Sequence, residues 1–551
     1  MFYPKWLSSC LLVAGLAVAL ADAAAAAPAG PEGAADLAKA ITAGLGEWFP
    51  AHGIRGQAAP RLTWQGDLIV EPKDEAYRVT LPKMALIFEG EQRVDFGDVA
   101  VMVTPNPDAT YGIAGELPAT IHFLDNDGGE NATLSLARRD FTAVWQPENQ
   151  LLRSFKGNFE DVRLASTHDK AGGHIGSIDA QSSQTASTEQ VGRWDGPASI
   201  TVHDIGLVDE AGRPILHLDD VTLQKTIRGL DALRALDFSR ALRVQAAASG
   251  TDPAGAAHLV EPLRGMFRDT EIKLDVAGVT ANNPQDGMTV RVSHVGYQTA
   301  VEGFDQEQAR MSLALDVHGL GVDPNPLGID FLPHDAALRL SAEHLPMTGF
   351  WGALSTYLKS APAAPAAKKR SKIAVPDSDA EDDATDDQAP EPSDDSVRSA
   401  AFVAAITGAA SDAATSLQLA NLTIEAPAVG ANLSGQATVK ADAANGGVAD
   451  FNLTLRGLDA IVKSFGAPPQ PAAGATSPDG KTPRGKMPKA SKPADERQSL
   501  IGVVGLIETL GQLDKDSEGR EVRRYRIQYT ADGKAMLNGG DLAPLLGLGR
   551  H

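Results

Sequence analysis

The sequence predicts a β-rich α+β protein, with long, twisted antiparallel sheets and a few helices packed on one face. The main observation is that apolar and polar residues alternate with a period of two, which is typical of strands with one buried and one solvated face. Short helical stripes interrupt this alternation, and Asx-Gly pairs that favour hairpin turns separate successive strands. Two segments of biased composition break the chain and are predicted to be disordered linkers.

The predicted strands are distributed along the whole chain. The alternation is clearest in residues 77–81, 271–276, 311–317, 451–456 and 525–529. Asp-Gly or Asn-Gly pairs, which supply the positive φ of a tight hairpin, stand at 127–128, 445–446 and 532–533. Because one face of each strand is apolar and the other polar, the strands are expected to form antiparallel sheet.

Helices are predicted where apolar residues recur every three or four positions. The stripes are Leu37, Ile41, Leu45 and Trp48; then Phe350, Trp351, Leu354, Tyr357 and Leu358; and finally Leu500, Val503, Val504, Ile507 and Leu510. Gly44 and Gly46 weaken the first stripe, because glycine lowers helix stability.

The pattern Arg-Gly-Leu-Asp-Ala occurs twice, at 228–232 and 456–460, and a weaker relative stands at 317–320. Each full copy follows a predicted strand and opens a helical stripe. The glycine permits the turn, the leucine packs on the sheet, and the aspartate is favoured near a helix N-terminus. We interpret the pattern as repeated construction of sheet-plus-helix units, with coincidence in an Ala-, Gly- and Leu-rich chain as the alternative.

Residues 1–27 have the pattern of a secretory signal peptide. Lys5 precedes an apolar run over 11–20, and Ala21-Asp22-Ala23 provides a plausible cleavage site. The run is short against the roughly 20 apolar residues of a spanning helix, so an uncleaved anchor is the alternative. The only cysteine, Cys10, lies within this segment, so the mature chain would lack disulfides and thiolate sites. The formal net charge of −22 argues against nucleic acid as a partner.

The two predicted linkers divide the chain into segments. Residues 361–397 pass from Ala-Pro repeats through a basic stretch into an acidic run, and residues 467–494 are rich in Pro, Ala, Gly and Lys. The predicted units between them are a β-rich domain at 34–359 (with a subdomain boundary near 226 as one option), a strand-helix segment at 398–466, and a C-terminal helix plus β-hairpin at 495–551.

No catalytic motif is recognisable. Residues 474–482 resemble a phosphate-binding loop, but five residues separate the glycines where that loop has four. The nearest approaches to a metal site are His168, Asp169 and His174, and His334, Asp335 and His344. Both clusters lie in turn-rich segments, where solvated histidine is favoured over a metal ligand. We therefore assign no catalytic, cofactor-binding or metal-ligating residue and expect no cofactor.

Several short motifs resemble a known family. They are residues 64–72, 77–82, 104–105, 116–118 and 532–539. These motifs resemble the domain-of-unknown-function family 2125, secreted proteins of Gram-negative bacteria without an assigned activity. The strand-Gly-Leu-helix units and the late helix with its hairpin are also similar, more distantly, to the AsmA-like group of periplasmic proteins. The resemblance implies a periplasmic location and a role in envelope assembly or lipid handling, and it supplies no catalytic residues.

The function expected from these observations is that of a non-enzymatic periplasmic envelope protein. Its apolar sheet groove would bind lipid or an envelope partner, and it would be membrane-proximal without spanning the membrane after cleavage. Two alternatives stay open. One is a periplasmic hydrolase with a site of dispersed acidic residues, and the other is a structural scaffold that recruits partners by strand addition.

Overall fold

The computed structural model describes residues 29–48, 61–88, 93–125, 127–247, 253–325, 331–360, 394–466 and 493–542. The predicted signal peptide, most of both predicted linkers and the phosphate-loop-like segment at 474–482 lie outside these ranges. Within them the chain forms long antiparallel strands with helices between some of them. The predicted β-rich α+β class is therefore confirmed.

In the N-terminal part, the long strand β11 belongs to two groups of strands, one paired with each half of its length. The strands here are β1 (Arg61–Gln65), β2 (Ile69–Lys73), β3 (Ala76–Thr80), β4 (Lys83–Ile87), β5 (Arg93–Asp95), β6 (Ala100–Pro105), β7 (Tyr111–Glu116), β8 (Thr120–Leu124), β9 (Glu130–Ser135), β10 (Arg138–Gln146) and β11 (Leu151–Ser166). The first half of β11 pairs with β10, which continues through β7, β6 and β3 to β2. Its second half pairs with β9, which continues through β8, β5 and β4 to β1.

The principal hydrophobic core lies in this N-terminal part. Helix α1 (Pro31–Trp48) contributes Leu37 and Ile41, which are fully buried together with Tyr77 and Trp145. The predicted helix is therefore confirmed, and Leu37, Ile41 and Leu45 of its stripe are buried in the core. Tyr111 stacks on Trp145 with 5.6 Å between ring centroids, which adds aromatic contact to the burial.

The rest of the chain extends the sheet from β11 one antiparallel strand at a time. The strands are β12 (Gly172–Ser183), β13 (Thr185–Ala186), β14 (Trp194–Val208), β15 (Pro214–Leu230), β16 (Asp269–Asn283), β17 (Met288–Glu302), β18 (Gln308–His318), β19 (Gly321–Asp323), β20 (Asp335–Pro346), β21 (Ser416–Glu425), β22 (Gly430–Val439), β23 (Gly447–Arg456), β24 (Gln512–Lys515), β25 (Glu521–Tyr529), β26 (Ala535–Leu537) and β27 (Gly540–Asp541). The main order is β11-β12-β14-β15-β16-β17-β18-β20-β21-β22-β23-β25. The proposed subdomain boundary near 226 falls inside β15, which is paired on both sides.

Six further helices accompany this extended sheet in the described ranges. They are α2 (Ala232–Ala247), α3 (Pro253–Leu263), α4 (Met347–Lys359), α5 (Asp394–Asp412), α6 (Leu458–Gly466) and α7 (Pro493–Leu510). Helix α5 begins inside the segment predicted to be a linker up to residue 397, and the first two residues of α7 lie inside the second one. The strand-helix segment predicted at 398–466 therefore opens with a helix that the periodicity did not indicate.

The repeated Arg-Gly-Leu-Asp-Ala pattern forms the same structure at both positions. Gly229 and Gly457 have φ angles of 64° and 76°, and a helix follows each within three residues. The weaker relative is different: Gly319 also has positive φ, but the chain after it enters strand β19. The Asx-Gly turns are confirmed as well, since the glycines at 128, 446 and 533 all have positive φ.

Four residues with positive φ lie on one line that runs across the strands of the sheet, which we call the bend line. These are Asp161 on β11, Asp204 on β14, Gly278 on β16 and Gly319 directly after β18. The pairs on either side of each residue place them on one transverse line through alternate strands. A residue with positive φ bends its strand and increases the local twist. The bends of these alternate strands therefore occur at the same height of the sheet.

Candidate functional site

The extended sheet from β14 to β23 has one face of strongly apolar composition, which we call the apolar face. Alternate residues of a strand share a face, and the strand register aligns them in four transverse rows. The first row is Val202, Val221, Val276, Val295, Val317, Ala336, Ile424, Ala431 and Leu455, and the second is Ile200, Leu223, Leu274, Tyr297, Leu315, Leu338, Leu422, Leu433 and Leu453. The third is Ala198, Lys225, Ile272, Thr299, Leu313, Leu340, Leu419, Gly435 and Phe451, and the fourth is Ile227, Thr270, Val301, Met311, Ala342, Leu417, Ala437 and Ala449.

The apolar face is large compared with a single side-chain cluster. Neighbouring strands are about 4.8 Å apart, so the eight steps from β14 to β23 span about 38 Å. Rows two residues apart are separated by about 6.8 Å, so the four rows span about 20 Å along the strands. Such an area exceeds the isolated apolar patches that are normal on a protein surface.

Much of this face is in contact with solvent. Met311 is 47% exposed, Leu417 45% and Ile424 42%, although all three are large apolar side chains in mid-sheet. Tyr297 and Leu315, at the centre of the second row, are also exposed. Because exposed apolar surface is unfavourable in water, a contiguous face of this kind is the candidate binding surface.

Helices border the apolar face at one end. Val260 of α3 and Met347 and Trp351 of α4 form a buried cluster with Ala309, which stands two residues before Met311 on the same face of β18. Trp351 also contacts the ring of Phe304 edge-on, with centroids 5.2 Å apart. This small second core closes the strand ends and leaves the middle of the face open.

Helix α7 borders the apolar face at its C-terminal edge. Tyr525, which pairs with Leu453 in the second row, donates a hydrogen bond from its hydroxyl to the Ile507 carbonyl at 2.8 Å. Burial under the helix raises the pKa of the Tyr525 hydroxyl. Arg523 on the same strand face forms an ion pair with Glu508 of α7 at 3.0 Å. The face is therefore bounded on this side by a packed helix.

The opposite face of the same strands is polar. Its clearest row crosses five strands as Asp220, Ala277, His294, His318 and Asp335. The His294 and His318 rings stack with 6.1 Å between centroids. On the same row, Asp335 accepts hydrogen bonds from His318 and from the Gly319 amide. Side chains of this kind are satisfied by one another and by water, which is typical of the solvated face of a sheet.

The two histidine clusters considered from the sequence are only partly assembled. His334 and Asp335 are in contact at 2.8 Å, but His344 stands at the other end of β20. His168 contacts Asn131, whereas His174 lies between Asp161 and Asp204 of neighbouring strands. Within the described residues, no group of three or more His, Cys, Asp or Glu side chains has the arrangement of a metal site.

A polar cavity of about 830 Å³ lies at the helix end of the polar face. Its lining contains charges of both signs, and several of these groups are paired. Arg310 contacts Glu343 at 3.5 Å, and Glu271 contacts Lys273 at 3.0 Å. Asp269 accepts the Gly303 amide at 2.9 Å. Carboxylates engaged in this way have the pattern of structural ion pairs more than of a general acid and base.

A second cavity, of about 780 Å³, continues the apolar surface beyond the bend line. Leu164, Leu207 and Leu216 of β11, β14 and β15 line it together with Gly173. These four residues form one transverse row, in the order Leu164, Gly173, Leu207 and Leu216. Because glycine has no side chain, it leaves a hollow between Leu164 and Leu207. The apolar surface therefore extends toward the N-terminal core.

Comparison of the chain with protein-family models, with curated proteins and with solved structures finds no match. Among the described helices, none combines the length and the apolar composition needed to cross a bilayer.

The sequence predicts apolar strand faces and an apolar groove, but it does not show which strands lie side by side. The period-two alternation at 271–276 and 311–317 identifies which residues share a face of each strand. The register between strands is needed to show that these half-faces align without interruption from β14 to β23. Single-strand patterns do not contain that information.

Proposed function

We propose that this protein is a non-enzymatic periplasmic envelope protein that holds lipid acyl chains on its apolar face. The single observation that carries the proposal is the solvent contact of a continuous aliphatic face about 38 Å by 20 Å. The periplasmic location is proposed from the signal-peptide pattern of residues 1–27.

The size of the face suits acyl chains. One leaflet of a bilayer has a hydrocarbon thickness of about 15 Å, half of the roughly 30 Å core. A chain of that length fits along the four rows, and several fit side by side across the strands. Burial of each methylene contributes about 0.8 kcal/mol, so ten buried methylenes contribute about 8 kcal/mol before the costs of association.

The alternatives receive less support from the described residues. For a scaffold that recruits partners by strand addition, an accessible edge strand is required. Among the strands that pair on one side only, β2 contains Pro72, and β1, β24 and β27 are five, four and two residues long. Strand β26, next to β27, is three residues long. Proline and short length both weaken strand addition. For a hydrolase, the polar cavity is the place to test, although three of its four carboxylates, those of Asp269, Glu271 and Glu343, are engaged in ion pairs or backbone hydrogen bonds.

The proposal is tested with two variants that introduce a negative charge on opposite faces of β18. Leu315→Glu places a carboxylate in the middle of the apolar face, whereas Ala314→Glu places it one residue away on the polar face. We expect Leu315→Glu to weaken binding of a neutral pyrene-labelled fatty alcohol at least tenfold, because a charge would be desolvated against the chain. Ala314→Glu is the matched control and should bind like the wild type.

Equal binding by both variants, or no binding of the alcohol by the wild type, would contradict an acyl-binding role for this face. Leu315 is 38% exposed, so its replacement is expected to leave the fold intact, and circular dichroism of both variants checks this. Fractionation of the native host tests the location separately: a product that lacks residues 1–27 should be found in the periplasmic fraction.

A further inference from the structure

Lys225 is the one charged residue among the four rows of the apolar face. It stands in the third row on β15, between Ala198 of β14 and Ile272 of β16. Leu223 and Ile227 occupy the same face two residues away on its own strand. The lysine is exposed, and the rows contain no carboxylate that could pair with it. Lys225 therefore stands among apolar neighbours, and no carboxylate shares these rows with it.

Two threonines stand near this lysine on the same face, and the Thr270 hydroxyl donates a hydrogen bond to the Thr226 carbonyl at 3.4 Å. Thr270 and Thr299 stand on the next two strands, in the fourth and third rows. Thr270 is a diagonal neighbour of Lys225, at a typical separation of about 7–8 Å between Cα atoms. Apart from the Tyr297 hydroxyl in the second row, the remaining residues of the four rows are apolar or glycine, so the charge of the face is concentrated at Lys225.

A comparison with Lys273 shows what is unusual about Lys225. Lys273 is on the neighbouring strand but on the polar face, and it forms an ion pair with Glu271 at 3.0 Å. A lysine on a solvated face needs no further explanation. A lysine among acyl chains would lose water, which is unfavourable unless an anion lies beside it.

We propose that Lys225 anchors the carboxylate of a free fatty acid whose chain lies on the apolar face. This inference rests on the proposed acyl-binding function. A compact carboxylate matches the charge and the size of one ammonium group, and it covers little of the surrounding apolar surface. A glycerophospholipid head would extend its polar atoms over Ile272 and Leu223, which offer no hydrogen bonds.

The direction of the chain follows from the position of the lysine. Lys225 is near the N-terminal side of the face, and the seven strand steps from β15 to β23 provide about 34 Å of surface beyond it. The rows carry no charge over that distance. An acyl chain anchored at Lys225 therefore meets only uncharged side chains whether it runs across the strands or along them.

The experiment compares two ligands with the same chain and different heads on the full protein at pH 8. The probes are oleate and oleyl alcohol, and the variants are Lys225→Gln, Lys225→Arg and the control Lys273→Gln. We expect the wild type to prefer oleate by about tenfold, the size of one hydrogen bond to a charged group. Lys225→Gln should lose this preference while its affinity for the alcohol stays unchanged, and Lys225→Arg should retain it.

The outcomes separate the two proposals. If neither ligand binds the wild type, the acyl-binding function itself is wrong. If the alcohol binds but oleate has no advantage, or if Lys273→Gln removes the advantage as fully as Lys225→Gln, the anchoring role of Lys225 is wrong. A third probe is a vesicle of phosphatidylglycerol, from which the protein would extract this lipid. If extraction depends on Lys225 and oleate binds only weakly, the occupant of the face is not a free fatty acid.

Discussion

At the scale of single residues, backbone conformation decides which side chains can stand on the bend line. Gly278 has a φ of 63°, and a Cβ atom there would lie 1.9 Å from Oδ2 of Asp219. Asp161 and Asp204 occupy equivalent places on other strands with φ angles of 52° and 54°. Aspartate tolerates this region better than most residues, so the line uses the two residue types best suited to it.

Gly278→Ala is predicted to destabilise the fold by about 1–3 kcal/mol, because alanine would be held at positive φ and would displace the Asp219 carboxylate. The matched control is Gly206→Ala in β14, where φ is not positive and a Cβ atom would have no neighbour within 4 Å. Thermal unfolding of both variants measures the difference. Equal melting temperatures would show that the bend line does not constrain Gly278.

Residue patterns predicted some of these conformations and not others. Gly229 and Gly457 were predicted to turn because each stands between a strand pattern and a helical stripe. Asp161 and Asp204 gave no such signal, because they sit inside strand patterns where an aspartate is an ordinary solvated residue. Their place on one transverse line is visible only from the register between strands, which is a tertiary feature.

At the scale of elements, the C-terminal border of the apolar face depends on the contact between α7 and β25. Tyr525 is 5% exposed and donates its hydroxyl to the Ile507 carbonyl of that helix. Tyr525→Phe keeps the ring and removes the hydrogen bond, so we predict a loss of about 1 kcal/mol in the free energy of unfolding.

The control is Tyr529→Phe, because Tyr529 is on the same face of β25 and is 45% exposed. Its loss of a hydroxyl should change stability by less than 0.5 kcal/mol, the usual range for surface substitutions. Chemical denaturation of the two variants measures both values. A larger loss for Tyr529→Phe than for Tyr525→Phe would place α7 elsewhere on the sheet.

Elements with a clear period were predicted, and those without one were missed. Helix α1 has its apolar residues on one stripe and packs them into the main core. Helix α5 is rich in alanine, and its Val397 and Val403 are exposed, so no apolar stripe distinguishes it from the preceding linker composition. A helix that packs through alanine, as Ala409 does closely against Gly349, leaves a weak pattern in the sequence.

At the scale of the whole molecule, strand pairs join parts of the chain that are far apart in sequence. Leu338 of β20 pairs with Leu422 of β21, and Leu453 of β23 pairs with Tyr525 of β25. Asp450 and Arg526 strengthen the second junction with an ion pair, and the hydrogen bond from Arg526 lowers the pKa of the Asp450 carboxyl. The sequence predicted the strands on each side of both linkers but gave no means of pairing them, since strand order is set by long-range contacts.

Limited trypsin digestion tests this pairing and the predicted linkers together. The composition of residues 361–397 and 467–494 predicts early cleavage there, at sites such as Lys369 and Lys486. Arg339 is the internal control, because β20 is paired on both sides and the site should resist the protease. After cleavage, the fragments are expected to elute together from a size-exclusion column and to separate only in denaturant, because the sheet continues across both breaks. Separation without denaturant would contradict the β20–β21 and β23–β25 pairs, and early cleavage at Arg339 would contradict the continuous sheet on which the apolar face depends.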